Sequence, residues 1–311
     1  MLDDIIGHDE LKENIRVAIR AAQHRGEPLE HILLVGPGGL GKTHIAKSIG
    51  RAIGAHLVIT QGNRLTAAST GPFLIDSSKE AAKLGKDLCV LIDEIHEMVE
   101  LAQQELYWPM DQNVVLTKSN PIPLGRFTII GTTTEPHELD DKSLINRFLH
   151  TWQIEELAYF DSLLILCDFL GKLKVAADKD PLQAIIGRSR GSPRLLKKYA
   201  KKIRDWAHSR GRKEILMTDV NSAFSELGID DIGLDKNQRR YLTILLESDK
   251  PIGIDAIASQ LGEMKTDQVR KTIEPYLWKL GFITSSNRGR ELTEKGHRHL
   301  MIASGLSAEF K

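Results

Sequence analysis

Residues 33–49 read LLVGPGGLGKTHIAKSI. An apolar run enters a glycine cluster, and a helix-like stretch leaves it. Gly36, Gly41, Lys42 and Thr43 match G-x-x-x-x-G-K-[ST] in the strand-then-helix setting that this motif requires. Glycines let the backbone wrap so that its N–H groups point inward at phosphate oxygens. The helix N-terminus adds partial positive charge. Lys42 is placed to reach the β- and γ-phosphates, and the Thr43 hydroxyl to hold Mg²⁺. The expectation is a phosphate-binding loop that takes ATP with Mg²⁺, rather than a bare turn.

Working outward, the short β-rich runs HILLV, HLVIT, LCVLID and FTIIG alternate with helix-like stretches through about residue 155. One of these, DELKENIRVAIRAAQHR, spaces Leu11, Ile15, Val17, Ala18 and Ala22 as an apolar helix face. Apolar strands between helices predict an α/β fold with a parallel sheet covered on both faces. LCVLIDEIHE ends in Asp93 and Glu94. Such a carboxylate, at the C-terminal end of a strand beside the loop strand, can hold the metal through water. Asp93 is therefore read as metal support and Glu94 as the general base that polarises the attacking water. His96 is read as a structural or coupling residue.

From about 158 to 228 only helical periodicity remains, and Gly233 to Asp235 reads as a hinge. Residues 235–311 read as helices, an extended GFITSS, a turn NRGR, and ELT, which is a winged-helix pattern. The expected domains are a large ATPase domain over 1–157, a helical lid over 158–232 and a winged helix over 233–311. Formal net charge is zero, yet residues 186–311 hold 24 Lys and Arg against 16 Asp and Glu. That imbalance suggests an anionic polymer at the C-terminal half.

No stretch approaches the roughly 20 apolar residues of a membrane span. The opening MLDDIIGHDE has aspartates where a signal peptide would be positive, so a cytoplasmic protein is expected. Cys89 and Cys167 both sit in apolar runs and are expected to be buried, reduced thiols. No Cys/His spacing suggests zinc.

The order IIGHDELKEN, GPGGLGKT, LIDEIHEM, FTIIGTTTEP, INRF, RSRGSPRLLKK and IEPYLWKLGFITSSNRGRELT resembles the RuvB family of bacterial Holliday-junction branch-migration motors, which are AAA+ ATPases. The similarity runs from about Asp4 to Leu300. It implies that Ile5, Ile6, Gly36, Pro37, Gly38, Gly39, Leu40, Gly41, Lys42, Thr43, His44 and Arg194 bind the nucleotide. Thr134 falls where the family has its first sensor, orienting the attacking water. Arg194 matches the second sensor, reaching the γ-phosphate from the lid. Arg147 matches the arginine finger, which enters a neighbouring subunit's site and stabilises charge on the transferred phosphoryl group. The resemblance also implies a hexameric ring acting on double-stranded DNA at a four-way junction. Arg288 and Arg290 flank Gly289 at a turn, where they can meet duplex phosphates.

Several stretches depart from the family. MDQNVVLTKSNPIPLGRF is shorter than the family's β-hairpin and lacks its apolar tip, on the surface that docks RuvA, the junction-recognition partner. A basic lead-in before IIGHDE is absent, and IEEL replaces a tyrosine-containing stretch. Glu135 and Ile145 stand where the family has arginines, and Gly38-Gly39 replaces Pro-Gly. These changes spare the hydrolytic set and fall mainly on partner and subunit surfaces. Two readings follow: an ATP-driven DNA motor with a RuvA-like partner, or an AAA+ nucleotide switch that loads or recruits another protein at DNA without translocation. A simple transcription regulator would not need Glu94, Thr134, Arg147 and Arg194 together.

Overall fold

Successive residues of a strand point to opposite faces, and that alternation sorts the apolar runs of this chain into two cores. Leu33, Val35, Val90, Ile92 and Ile129 share one, while Ile32, Leu34, Cys89, Leu91 and Ile130 share the other. The computed structural model describes residues 2–139, 143–248, 250–262 and 264–303. Its strands are β1 (Ile32–Val35), β2 (His56–Gln61), β3 (Leu88–Asp93), the short pair β4 (Val114–Val115) and β5 (Ile122–Pro123), then β6 (Phe127–Thr133) and β7 (His150–Gln153). Five of them form one sheet in the order β2-β3-β6-β1-β7, with every pairing parallel.

This order corrects one expectation. β3 does not lie beside the loop strand β1, because β6 runs between them. The acidic end of β3 therefore reaches the loop across a strand that ends in Thr132 and Thr133, with Thr134 next in the chain.

The helices of this part are α1 (Asp9–Arg25), α2 (Lys42–Ala52), α3 (Ala67–Lys83), α4 (Glu100–Gln104), α5 (Tyr107–Gln112) and α6 (Tyr159–Lys172). On α1, Leu11, Ile15, Ala18, Ile19 and Ala22 are buried. Val17 was expected with them but is 57% exposed, because two residues past Ile15 lies on the far side of a helix. Cys89 is buried, and burial pushes its thiol up to about 12. Cys167 is exposed, contrary to expectation. The inward stripe of α6 is Ser162, Leu166 and Leu170, and Cys167 stands one residue off it.

The chain forms two compact units: residues 1–176 with 189–201, and residues 177–188 with 202–311. The two-residue strands β8 (Ala176–Ala177) and β9 (Glu214–Ile215) interrupt the expected all-helical segment. They fall among α7 (Lys179–Arg188), α8 (Pro193–Ser209) and α9 (Met217–Leu227). In the second unit, Gly233 has φ +88°, and a Cβ there would sit 2.8 Å from the Arg188 carbonyl oxygen, so only glycine fits. Asp230 Oδ1 accepts the N–H groups of Ile232 and Leu234 at 3.1 and 2.7 Å. The expected hinge is thus a hydrogen-bonded turn.

Beyond it lie α10 (Lys236–Leu246) and α11 (Ile254–Gln260). A third helical stretch over 266–279 includes one π turn, Val269–Ile273. The antiparallel hairpin β10 (Ile283–Ser286) and β11 (Gly289–Leu292) and a last helix, Glu294–Ala303, complete the winged helix. Leu234, Tyr241, Leu245, Ile257, Ile273 and Leu277 belong to its separate core.

His31 ties the sheet to α5. Its Nδ1 accepts the Ile129 N–H at 2.9 Å, which leaves Nε2–H to donate to the Met110 carbonyl oxygen at 3.3 Å. Burial lowers its pKa to about 4. The unfolded chain therefore takes up a proton that the folded chain refuses once the pH falls below about 6.5. Stability from this group is complete above that value and is lost progressively as the pH falls toward 4. Wild type should lose about 2 kcal/mol in denaturant unfolding between pH 7 and pH 5 that a His31→Gln variant does not lose. Equal pH dependence in the two proteins would refute this account.

Candidate nucleotide-hydrolysis site and DNA-facing wing

The loop after β1 closes on α2. Gly39 has φ +87°, and a Cβ there would lie 2.8 Å from Ser192 Oγ and 3.1 Å from Arg194 Cβ, so the loop needs glycine at this approach. Lys42 is 5% exposed. Its Nζ donates to the carbonyl oxygens of Gly36 and Pro37 at 2.7 and 3.2 Å, which arches the side chain over the loop. Burial pulls its pKa down, opposed by the charges of Glu94 and Asp93. A Cβ added at Gly38 would lie 3.9 Å from Arg194 Nη1.

Asp93 Oδ1 accepts hydrogen bonds from Thr43 Oγ1 at 2.9 Å and from Thr132 Oγ1 at 2.5 Å. Thr132 Oγ1 also accepts the Glu94 N–H at 3.1 Å. Glu94 adopts φ 49° and ψ 58°, a left-handed conformation that costs roughly 1–3 kcal/mol outside glycine and clusters at functional sites. Thr134 donates to Glu94 Oε2 from both its N–H and its Oγ1, each at 3.2 Å. His96 Nδ1 lies 3.1 Å from Thr133 Oγ1 and 3.5 Å from Glu94 Oε2.

Two cavities adjoin here. One of about 260 Å³ is polar and is lined by Gly39, Lys42, Thr43, Asp93, Glu94 and Arg194. The other, of about 200 Å³, is lined by Ile5, Ile6, Leu40, His44, Leu157 and Ile165 among others. Gly41, His44, Pro193 and Lys197 line both. A polar chamber joined to a more apolar one matches a triphosphate joined to a nucleoside. Asp4 anchors the segment that carries Ile5 and Ile6. Its Oδ2 accepts from Ser48 Oγ at 2.6 Å and from Arg51 Nη2 at 2.5 Å, both on α2. The donors at Thr43 and Asp93 are hard oxygens, which fit Mg²⁺.

Three of the four expected arginines differ from one another in setting. Arg194 lines the polar cavity, and its N–H meets the Gly39 carbonyl oxygen at 3.3 Å. Arg147 lines neither of these cavities of its own chain. Its guanidinium bonds Asp111 Oδ2 through Nε at 3.0 Å and Nη2 at 2.8 Å, and stacks 4.1 Å over the Tyr107 ring. Arg288 is exposed at the wing turn.

Arg290, expected at that turn, lies within β11 instead. Its Nε donates to Glu274 Oε1 at 2.9 Å, and Tyr241 Oη donates to the same oxygen at 2.6 Å. Glu274 is 4% exposed, so Arg290 serves the core of the winged helix.

Sequence reasoning did not find Thr132, Asp4, Asp111 or Tyr107. The run TTT is the one local signal for Thr132, and it does not distinguish Thr132 from Thr133 or Thr134. Asp4, Asp111 and Tyr107 act through long-range contacts that no local pattern marks.

A glycine loop on a parallel sheet, an Asp-Glu pair after β3, threonines closing on that pair and a following winged helix define an AAA+ P-loop ATPase with a winged-helix domain. Family models agree in every segment. The Holliday junction DNA helicase RuvB P-loop domain matches residues 1–154, the RuvB AAA lid domain 168–230, and the RuvB C-terminal winged helix domain 231–301. The chain belongs to the RuvB family. A protein of Kosmotoga olearia named Holliday junction branch migration complex subunit RuvB is 33% identical, over 97% of this chain and 89% of its own length. A Rubrobacter xylanophilus protein of the same name is 33% identical, over 96% of this chain and 85% of its own. The solved Thermotoga maritima RuvB Holliday junction branch migration motor superposes with a TM-score of 0.82 at 30% identity, covering 96% of each chain.

Glu94→Gln should lower ATP turnover by about 10²–10⁴ while nucleotide binding persists. Thr134→Val removes a donor to an ionised carboxylate and should cost about 10–100-fold. Steady-state turnover beside a nucleotide-binding titration checks both, and undiminished turnover in Glu94→Gln would remove the assignment.

The two wing arginines should separate. Arg288→Ala should reduce the slope of log affinity for duplex DNA against log salt by about one. Arg290→Ala leaves a buried carboxylate without its cation and should cost about 3–5 kcal/mol of stability.

Proposed function

We propose that this chain is an ATP-driven DNA motor of the RuvB type, which moves the crossover of a four-way junction. The observation that carries this reading is the convergence of Thr43, Asp93 and Glu94 at one cavity, with Thr134 hydrogen-bonded to Glu94, in a chain that also carries a winged helix. ATP would place its base in the apolar chamber near Ile5, Ile6 and Leu40 and its phosphates along the loop. Thr43 and Asp93 would hold Mg²⁺, which neutralises charge on the phosphates when bound. Glu94 would take the proton of the attacking water, held in position by Thr134. Lys42 and Arg194 would stabilise the γ-phosphate.

In this reading Arg147 serves a neighbouring copy. Its position outside its own chain's cavities supports that, and so does the Asp111 and Tyr107 contact that holds it ordered at the surface. The working form is then a ring, expected to be a hexamer. Contacts of the wing to duplex phosphates would be independent of sequence and sensitive to salt. The relatives are named as subunits of a branch migration complex, which supports a RuvA-like partner for this chain as well. The β4–β5 hairpin would be its docking element. Its turn is polar, with Thr117 Oγ1 donating to the Asn120 carbonyl oxygen at 2.6 Å, and Leu116 is exposed beside it. Among the described residues no helix is long and apolar enough to cross a membrane; the proposed site of action is DNA in the cytoplasm.

Arg147→Ala subunits should regain turnover in mixed rings with Lys42→Ala subunits, because the intact finger serves the neighbour's loop. Absence of rescue in rings shown to be mixed would count against a finger acting in trans. ATP-dependent unwinding of a synthetic four-way junction, with and without a RuvA-like protein, tests the motor itself. ATP-gated binding without strand movement would select the nucleotide switch.

A further inference from the structure

Two short turns leave the paired strands β3 and β6 side by side. The first, Ile95–Glu97, carries His96, and the second, Pro136–Glu138, follows Glu135. Both are 3₁₀ turns, in which side chains three residues apart eclipse. Glu138 N–H donates to the Glu135 carbonyl oxygen at 3.1 Å, which closes the second turn and sets both carboxylates on one side. One ring nitrogen of His96 and one carboxylate oxygen from each of Glu135 and Glu138 lie within 4.8 Å of one another.

The His96 side chain is only 7% exposed. Thr133 Oγ1 lies 3.1 Å from its Nδ1 and accepts the Glu135 N–H at 3.0 Å, so one hydroxyl holds the ring and the first carboxylate residue in register. A metal-binding imidazole is ordinarily oriented in this way, through its second nitrogen. Two carboxylates gathered on one imidazole concentrate negative charge that a cation offsets.

We propose that His96, Glu135 and Glu138 form a regulatory site for a divalent transition-metal ion of the zinc class. One imidazole nitrogen and two carboxylate oxygens suit zinc, which leaves a fourth position for water. Mg²⁺ prefers oxygen donors throughout and belongs at Thr43 and Asp93. The new site touches the hydrolytic machinery directly, since His96 Nδ1 is 3.5 Å from Glu94 Oε2. A cation bound to that ring puts positive charge beside the Glu94 carboxylate, competes with the attacking water for it and slows ATP cleavage. This coupling rests on Glu94 being the base, whereas binding of the ion does not.

Calorimetric titration of the full chain with Zn²⁺, in Mg²⁺ buffer without nucleotide, should give one tight site per chain. Glu135→Gln and Glu138→Gln should each weaken it at least tenfold, and Thr133→Val should weaken it by about tenfold. Cys167→Ser, which removes an exposed thiol elsewhere, should leave it unchanged. Saturating Zn²⁺ should slow hydrolysis by wild type but not by Glu138→Gln, whose turnover without zinc should match wild type. Equal zinc affinity in wild type and in both folded glutamate variants, checked by circular dichroism, would overturn the site. Weaker binding in the variants with no zinc effect on wild-type turnover would overturn the regulatory role and support the binding site alone. If Glu94→Gln fails to slow turnover, the base assignment falls while the titration result stands.

Discussion

A single carboxylate oxygen joins the elements that surround the glycine loop. Asp93 Oδ1 receives Thr43 from α2 and Thr132 from β6, while its own backbone ends β3. Bonds to an ionised acceptor are roughly twice as strong as neutral ones. Strand order makes this junction possible. With β6 between β1 and β3, the C-terminal end of β6 lies between the loop strand and the strand that carries the acidic pair. Thr132 uses that position twice, donating to Asp93 and accepting from Glu94 N–H. The left-handed backbone of Glu94 persists because Thr132 fixes its N–H and Thr134 fixes its carboxylate.

Features set by neighbours along the chain were legible in the sequence. Gly36, Gly41, Lys42 and Thr43 follow from a loop that must wrap a phosphate between a strand and a helix, and the continuous apolar runs foretold a sheet with two covered faces. What escaped depends on position in space. Nothing in LCVLID tells which strand lies beside it, so the place of β6 between β3 and β1 is visible only in the fold. Cys167 sits in an apolar run, but on a helix only every third or fourth residue faces the core, and Leu166 takes that place. Asp4 looks like a charged terminus in the sequence; in the fold it holds α2 through Ser48 and Arg51.

Arginines show the same limit more sharply. In sequence, Arg288 and Arg290 are equivalent cations on either side of Gly289. The hairpin alternates its faces, but the two do not simply share one outward side. Arg288 stands at the turn in solvent, while Arg290 is drawn to a carboxylate at 4% exposure that also receives Tyr241. A buried Glu274 without a cation would be costly, so the core of the winged helix claims one of two arginines that charge counting assigns to DNA. The positive balance of the C-terminal half is therefore an upper bound on what a duplex can meet.

The isolated chain is built with restraint at its reaction centre. Glu94 Oε2 accepts two hydrogen bonds from Thr134, which hold the carboxylate in one position. Arg147 is likewise occupied, its charge answered by Asp111 and its plane covered by Tyr107. If the finger acts across a subunit boundary, as proposed, the cation that favours phosphoryl transfer comes from another copy. One chain then holds a carboxylate fixed by Thr134 and an arginine kept ordered for its neighbour. Turnover by a lone chain should be slow for a physical reason: the electrostatic stabilisation of the transition state is divided between two copies, and assembly brings the parts together.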